Sequence, residues 1–289
     1  PRAESDWPAF DGEQAFADAA ELVSFGSRAV GTPGHRHAQA YLQARLRAAG
    51  IEPRVDTFVH SARQAAVMLS NIEAVFPGTE RSIILVTTHY DSWPGGPVDF
   101  QAANGAASGP AVLLELARVL QAAPHATGPE IRLVWFDGQE PLQHHTLADG
   151  LQGSRHYARQ LVAAGIHRRV IAAINLDMVG DRDLAFTVPR NVDPGLRQRL
   201  IEAARAENAR HAVTLFSAEI GDDHEPFLER GIPAINLIDF HYGSAPGRND
   251  YWRSEHDTIE MISAESLGLT GRVTLRLLRD MVPARTKGE

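Results

Sequence analysis

The amino-acid sequence predicts an α/β fold of three layers, in which a mixed and largely parallel central sheet carries helices on both faces. The apolar runs "SIILVTT" (82–88), "IRLVWF" (131–136) and "AAINL" (172–176) are short and nearly continuous, which is typical of buried strands. They alternate with segments of helical periodicity, and this alternation indicates parallel pairing. We expect one domain over residues 1–289.

The first half of the chain predicts two helices before the first strands. Residues 12–48 have helical periodicity interrupted by a turn near "GTPGHRH", and the second segment ends at Gly50, a residue that commonly stops a helix. Strands follow in "AAVMLSNIEAVFPG" and "SIILVTTHY". Residues 107–121 predict a helix, and "IRLVWFD" predicts the next strand.

The second half continues the alternation of helices and strands. A helix is predicted over 151–165, followed by strands in "RVIAAINLDMVG" and "DLAFTV". A helix over 194–209 precedes the strands in "AVTLFS" and "IPAINLID". An amphipathic helix then extends to residue 281. No internal repeat interrupts this order.

Charge and composition exclude several classes of partner and site. The formal net charge of -8 argues against nucleic acid or an anionic membrane surface as the main partner. No apolar run reaches the roughly 18 residues that a membrane span needs. The chain has no cysteine, so disulfides and thiolate metal sites are excluded. The oligomeric state stays open.

Polar side chains follow five predicted strands, and sites in open α/β sheets lie beyond the carboxyl ends of the strands. In chain order these residues are His89, Tyr90 and Asp91, then Asp137, Gln139 and Glu140, then Asp177, then Asp222, Asp223 and His224, then Trp252, Arg253, His256 and Asp257. One Asp at such a turn is commonly a helix cap. Their joint placement predicts a shared site, and carboxylates with imidazoles would suit zinc.

Several of these segments resemble the motifs of one enzyme family. They are "HYDS" (89–92), "ANGAASGPAVLLELAR" (103–118), "FDGQE" (136–140), "LDMVGD" (176–181), "DDHEPFLERGIPAINLI" (222–238) and "YWRSEHDTIEMISAESL" (251–267). They look like the blocks of the zinc aminopeptidases of peptidase family 28 and of animal-type glutaminyl cyclases. "LQGSRHYA" (151–158) and the doubled Asp before His224 resemble the cyclase branch. The resemblance implies a zinc-exopeptidase fold.

Three positions depart from the family pattern where the family carries its chemistry. By resemblance, Gly105 stands at a metal-binding aspartate, Gln139 at the glutamate that acts as general acid and base, and Arg253 at a late histidine ligand. Of the implied cyclase zinc ligands only Glu140 remains. Of the aminopeptidase ligands, His89 and Asp177 remain as well.

The three replacements argue against the family's metal chemistry. Glycine cannot ligate through a side chain, and Gln139 cannot exchange a proton at neutral pH as glutamate does. Arg253 carries a permanent charge that would repel zinc. We therefore expect no cofactor, or zinc if the family mechanism survives. The hypothesis is that Arg253 replaces zinc as the cation of the site, pairing with Glu140 and Asp177 in a fork geometry.

Other residues offer weaker alternatives. His256 lies three residues after Arg253 and would reach the same face if the segment were one helical turn. His144 and His145 could bind metal adventitiously, but we expect solvated loop residues there. Trp93, Trp252 and Tyr242 lie in strand-end loops, where together with Glu140 and His224 they could line a substrate pocket.

Three functions follow from the residues and the resemblance. The first is a zinc-independent, divergent cyclase-like protein that binds a peptide N-terminus or an amino-acid-amide-like small molecule, with the family activity lost. The second is a metal-free cyclase or acyl-transfer enzyme, in which Asp177, Asp223 or Glu140 moves protons and Arg253 stabilises an oxyanion. The third is an ordinary zinc glutaminyl-peptide cyclotransferase or aminopeptidase.

Two questions about origin accompany these functions. Substitutions introduced to inactivate a parent enzyme would produce the same three departures. The family resemblance and the absence of an initial methionine favour a secreted or periplasmic location.

Overall fold

The computed structural model describes residues 7–61, 66–97, 100–123, 128–142 and 149–282. Its helices and strands, in chain order, are α1 (Gly12–Ser24), α2 (Pro33–Ala48), β1 (Arg54–Ser61), β2 (Ala66–Phe76), β3 (Ile83–His89), α3 (Gly109–Ala122), β4 (Glu130–Phe136), α4 (Gln152–Ala163), β5 (Val170–Asp177), β6 (Phe186–Val188), α5 (Pro194–Ala206), β7 (Val213–Leu215), α6 (Glu225–Leu228), β8 (Ala234–Ile238) and α7 (Ala264–Met281). A π-helical turn over Asn104–Ser108 leads into α3.

Six strands form the central sheet in the order β1-β2-β4-β3-β5-β8. The strands β4, β3, β5 and β8 are parallel, whereas β1 pairs antiparallel with β2 and β2 with β4. A separate parallel pair joins β6 to β7. The predicted α/β fold with a mixed, largely parallel sheet is confirmed.

Each face of the sheet contributes to a different apolar core. Along β3, Ile84 and Val86 pack with residues of α1, α2, α3, α5 and α7, whereas Ile83 and Leu85 pack with residues of α4 and α6. This alternation follows from the two-residue period of a strand. Because both faces are covered, β3 is buried along its whole length, as its continuous apolar run predicts.

Strand β1 was not predicted, and the boundaries of several helices differ from expectation. The eight residues of β1 pair with β2 from Arg54↔Glu73 to Ser61↔Ala66. The turn near "GTPGHRH" is in fact the start of α2, whose N-cap Thr32 accepts a hydrogen bond from the His35 N–H. None of the helices in the described part of the chain is long and apolar enough to cross a membrane.

The parallel strands bring their carboxyl ends to one edge of the sheet. His89 at the end of β3 stands opposite Phe136 at the end of β4, and Asp177 at the end of β5 stands opposite Ile238 at the end of β8. The polar residues that follow these four positions therefore meet at the same edge, as expected for open α/β sheets.

Candidate active site

Asp91 joins the loop after β3 to the loop after β4. Its fully buried carboxylate accepts hydrogen bonds from the backbone N–H groups of Gln139 and Glu140, both at 3.0 Å. A buried carboxylate needs such partners, because an unpaired one would be strongly destabilising. The two bonds fix the backbone from which the side chains of Gln139 and Glu140 enter the site.

Arg253 forms an ion pair with Glu140 across the site. The Arg253 Nε lies 3.4 Å from Glu140 Oε1, and its Nη2 makes a short contact with Oε2. The Arg253 side chain is 22% exposed to solvent and the Glu140 side chain is 10% exposed. Burial raises the pKa of Glu140, and the charges of Arg253 and His89 oppose that rise. The geometry is the two-bond fork that guanidinium and carboxylate groups prefer.

Two aromatic rings contact the Arg253 guanidinium. Its Cζ lies 4.3 Å from the Trp252 ring centroid and 5.4 Å from that of Trp93. The backbone of Arg253 has φ 54°, in the left-handed region, which costs about 1–2 kcal/mol for a residue with a Cβ. The ring contacts and the Glu140 pair together offset that strain.

His89 and Asp177 form the second charged pair of the site. The His89 Nε2 lies 3.4 Å from Asp177 Oδ1, and its Nδ1 lies 3.0 Å from the Asp91 carbonyl oxygen. Burial lowers the pKa of His89, but its contacts with Asp177 and Asp91 outweigh that effect and raise the pKa well above its ordinary value. Among the described contacts, Asp177 pairs with this imidazole and not with Arg253. We expected Arg253 to pair with both Glu140 and Asp177, but it pairs with Glu140 alone.

The pKa of Asp177 is raised to about 7. Burial is the main cause, and the nearby charge of Asp222 adds to it, whereas His89 opposes the rise. A carboxyl group with this pKa can change its protonation state near neutral pH.

Gln139 is tied to a buried amide and carboxylate network. Its Nε2 donates to Asp222 Oδ1 at 3.3 Å. The other oxygen of Asp222 accepts from the Nδ2 groups of Asn175 on β5 and Asn236 on β8, at 3.1 and 2.8 Å. The amide of Gln139 thus satisfies a carboxylate that a glutamate at this position would repel.

Asp223 and His224 directly follow Asp222 in the chain and are completely buried. Ser154 Oγ donates to Asp223 Oδ1 at 2.5 Å, while Oδ2 has no hydrogen-bond partner among the residues that the structure describes. Burial and the charge of Asp222 raise the pKa of Asp223 well above its ordinary value. His224 donates from Nε2 to the Asn191 carbonyl at 3.0 Å, and burial lowers its pKa.

The segment at Gly105 is held by Asp257. The Asp257 carboxylate accepts from the N–H groups of Asn104 and Gly105, at 2.7 and 3.2 Å, and from the Tyr242 hydroxyl at 3.0 Å. A Cβ at position 105 would lie 3.1 Å from Asp257 Oδ2. Burial raises the pKa of Asp257 to about 6. Tyr242 is itself fully buried and supports this segment, whereas Trp252 is 36% exposed at the rim.

The remaining sequence candidates lie away from the ion pairs. The ring of His256 is exposed and packs against Tyr251, with centroids 5.4 Å apart, so it does not stand in for the ligand at position 253. His144 and His145 lie outside the described residues.

Sequence reasoning did not single out Arg28, which binds the backbone just before the π-helical turn. This arginine is fully buried and donates to the carbonyls of Leu22, Gly26, Gln101 and Ala102, at 2.9–3.2 Å. The last two residues precede the π-helical turn. No local pattern around Arg28 indicates this role, because its partners Gln101 and Ala102 lie more than seventy positions away in the sequence.

The side chains around Glu140 do not fit a zinc site of the kind that the resemblance implies. Both Glu140 oxygens are bonded to Arg253, and position 105 offers no side-chain donor. Within the described ranges, no group of three or more His, Asp or Glu side chains is arranged to hold a metal ion. A zinc ion at Glu140 would have to displace a guanidinium of the same sign.

The sequence from the middle of β2 to the last turns of α7 matches a family model. The model is that of peptidase family M28, and it matches residues 71–278. The chain belongs to peptidase family M28. The matched M28 region contains every residue of the two ion pairs.

The relatives that the chain resembles include a cyclotransferase-like protein and an aminopeptidase. The chain is 31% identical over 244 residues to the glutaminyl-peptide cyclotransferase-like protein of Bos taurus, covering 73% of the chain and 62% of that protein. It is 32% identical over 210 residues to aminopeptidase YwaD of Bacillus subtilis (strain 168), covering 71% of the chain and 42% of that protein. The chain thus spans less than two thirds of the length of either relative.

One solved structure matches a larger share of this chain than those two relatives do. The glutaminyl cyclase of an Acidobacteriales bacterium superposes with a TM-score of 0.90 at 31% identity, and the match covers 98% of both chains. This likeness confirms the expected glutaminyl cyclase and zinc-exopeptidase fold.

Proposed function

We propose that this chain is a zinc-independent, glutaminyl cyclase-like member of family M28 that binds a peptide N-terminus or an amino-acid amide without the family's metal reaction. One observation carries the proposal, namely the ion pair between Arg253 and Glu140. It supplies a fixed positive charge beside the carboxylate that would hold the metal by resemblance. The alternative of a bound zinc ion would leave that guanidinium without a partner and close to a second cation.

The groups around the pair suit a ligand with an amide or other N–H group. The Gln139 amide is held by Asp222, which leaves its carbonyl oxygen as an acceptor for a ligand N–H. The exposed face of Trp252 offers an apolar surface beside it. Glu140 and Asp177 each have a cationic partner, in Arg253 and His89, so the ligand would be recognised through its N–H groups and apolar surface and not through a positive charge.

The same groups lack the parts of a metal hydrolase or cyclase. Gln139 cannot carry a proton between water or amine and leaving group. Glu140 is engaged by Arg253, which forms a hydrogen bond with each of its two carboxylate oxygens. Binding with little or no turnover is therefore the function that these residues support best.

The test combines metal analysis with calorimetry on the purified chain. After incubation with excess zinc and gel filtration, we expect substoichiometric zinc, and we expect L-glutaminamide to bind without being converted. Trp252→Ala should weaken binding about tenfold through loss of the ring contact. Met68→Ala, at a 68% exposed position on β2, is the matched surface control.

Two results would overturn the proposal. Stoichiometric zinc that is lost in Glu140→Gln would show instead that the chain is an ordinary zinc enzyme. Turnover of L-glutaminamide or of a Gln-peptide without metal, abolished by Asp177→Asn, would favour the metal-free enzyme instead.

A further inference from the structure

Four aromatic side chains follow strands β3 and β8 of the central sheet and strand β7 of the separate β6–β7 pair. We call them the aromatic strip: Trp93 after β3, Phe216 after β7, and Phe240 and Trp252 after β8. Only Trp93 and Trp252 contact Arg253 among the described ring contacts. The two phenylalanines therefore need an explanation outside the ion pair.

Three of the four rings form a series of contacts that begins at Trp252, beside Arg253, and continues through Phe240 to Phe216. The Trp252 and Phe240 centroids are 5.6 Å apart, and the Phe240 and Phe216 centroids are 6.4 Å apart. Both pairs are tilted by about 55°. Offset and tilted rings at these distances attract each other.

The backbone holds the outer rings in place. The Phe240 N–H donates to Thr187 Oγ1 at 2.7 Å, and the Phe216 N–H donates to the Val188 carbonyl at 2.8 Å. Both partners lie on β6. Phe216 and Phe240 pack onto a small core that includes Tyr242 and remain half-buried. Their positions are therefore set before any ligand binds, which lowers the entropic cost of binding.

The length of the strip decides between a small molecule and a peptide. The two ring-to-ring steps reach about 12 Å beyond Trp252 at most, and an extended chain advances about 3.3–3.6 Å per residue. Three to four residues would span that distance, whereas a single amino-acid amide would reach only Trp252. Among the described ring contacts of the strip, two involve an ionisable residue: Arg253 contacts the tryptophans, and the His241 ring contacts Phe216. The other contacts join apolar aromatic rings to each other.

We propose that the aromatic strip binds the residues that follow the N-terminal residue of a peptide ligand and selects aromatic or long aliphatic side chains there. The inference rests on the proposed function, because it takes the N-terminal residue to sit beside Arg253 and Glu140. The ligand is then an unstructured peptide with an apolar segment, and the strip is a specificity-determining surface.

The experiment compares three synthetic probes by calorimetry: L-glutaminamide, Gln-Gly-Gly-Gly amide and Gln-Phe-Leu-Phe amide. We expect the last peptide to bind at least tenfold more tightly than the glycine peptide, since burying two or three large side chains outweighs the ordering of the chain. Phe216→Ala and Phe240→Leu should each remove much of that difference and leave L-glutaminamide binding unchanged. Phe240→Leu keeps an apolar side chain where alanine would open the small core.

The matched control is Phe58→Ala, which removes a half-buried ring on β1 at the opposite edge of the sheet. It should not change the ratio between the two peptides. Equal affinities of wild-type protein for the glycine and phenylalanine peptides, with L-glutaminamide bound, would overturn this inference and leave the proposed function standing. Failure of all three probes to bind would overturn both.

Discussion

The guanidinium of Arg253 bonds both carboxylate oxygens of Glu140 from a left-handed backbone position. The pair joins the loop after β8 to the loop after β4, two strands that are separated in the sheet by β3 and β5. It therefore links opposite sides of the candidate site. Its energetic contribution can be measured separately from any ligand.

Removing Arg253 should destabilise the protein through the carboxylate left behind. In Arg253→Met the buried Glu140 loses its partner, and we expect the free energy of unfolding to fall by about 2–4 kcal/mol. Methionine keeps the unbranched stem and the same backbone strain, so the change isolates the charge. Urea denaturation at pH 7 measures the effect.

Glu140→Gln supplies the control for that experiment. The double variant should recover part of the loss, because it no longer contains an unpaired carboxylate, and the coupling energy should exceed about 1 kcal/mol. Additive effects of the two substitutions would contradict the structural pairing.

Restoring the family residues should restore metal binding. The triple variant Gly105→Asp, Gln139→Glu and Arg253→His reinstates the ligands and the acid/base that the resemblance implies, and we expect stoichiometric zinc by mass spectrometry. Three carboxylates in one place then require a cation, which zinc supplies.

The single variant Gly105→Asp is the informative comparison. Its Cβ would lie 3.1 Å from Asp257 Oδ2, so without a metal we expect a loss of about 1–3 kcal/mol in unfolding free energy. If the single variant alone binds zinc, then Arg253 does not exclude the metal. That outcome would contradict our account of the pair.

Arg28 should be among the most sensitive positions in the chain. Arg28→Met leaves four carbonyl oxygens without their donor, and we expect a loss of about 3 kcal/mol or more. Because two of those carbonyls precede the π-helical turn, ligand affinity should fall as well. Arg28→Lys retains the charge but not the fork, so it should give an intermediate stability; stability equal to wild type would contradict the assignment.

Asp239 should make stability depend on pH. Burial raises its pKa from 3.8 to about 7, so between pH 4 and 7 the folded protein binds a proton that the unfolded chain releases. The contribution of Asp239 to the free energy of unfolding is therefore largest below about pH 4. It falls by up to about 4 kcal/mol as the pH rises to 7, and it is constant above that pH.

The variant Asp239→Asn separates this effect from other titrations. Asparagine keeps one acceptor for the N–H groups of Ala185 and His241, which now bond the carboxylate at 2.8 and 2.9 Å. The difference in unfolding free energy between wild type and variant should change between pH 4 and 7. A constant difference across that range would show that Asp239 titrates normally.

The buried strands could be predicted because their burial is written in consecutive apolar residues. β3 is apolar along its length and packs on both faces. β1 carries Arg54, Asp56 and His60, and it is stable only through its pairing with β2, so no local pattern predicts it. Its partner lies at least five positions away along the chain and as many as nineteen.

The clustering of these polar residues could be predicted, but the pairing among them could not. Strand order brings His89, Glu140 and Asp177 to one edge, and the rule for open sheets anticipates that, whereas Asp223 follows β7 of the separate pair. Whether Asp177 meets Arg253 or His89 depends on loop conformation, and the structure pairs it with His89 at 3.4 Å. The Arg28 bonds and the Asp222 amide network are likewise long-range, so residue type alone does not reveal them.

The positive charge beside Glu140 is covalently part of the polypeptide. A metal ion exchanges with its surroundings, so its occupancy follows metal supply and competing chelators. The Arg253 guanidinium is present from the moment the chain is synthesised and stays protonated at any physiological pH. The charge balance at this edge of the sheet is thus inherited with the gene and is independent of the nutritional state of the cell.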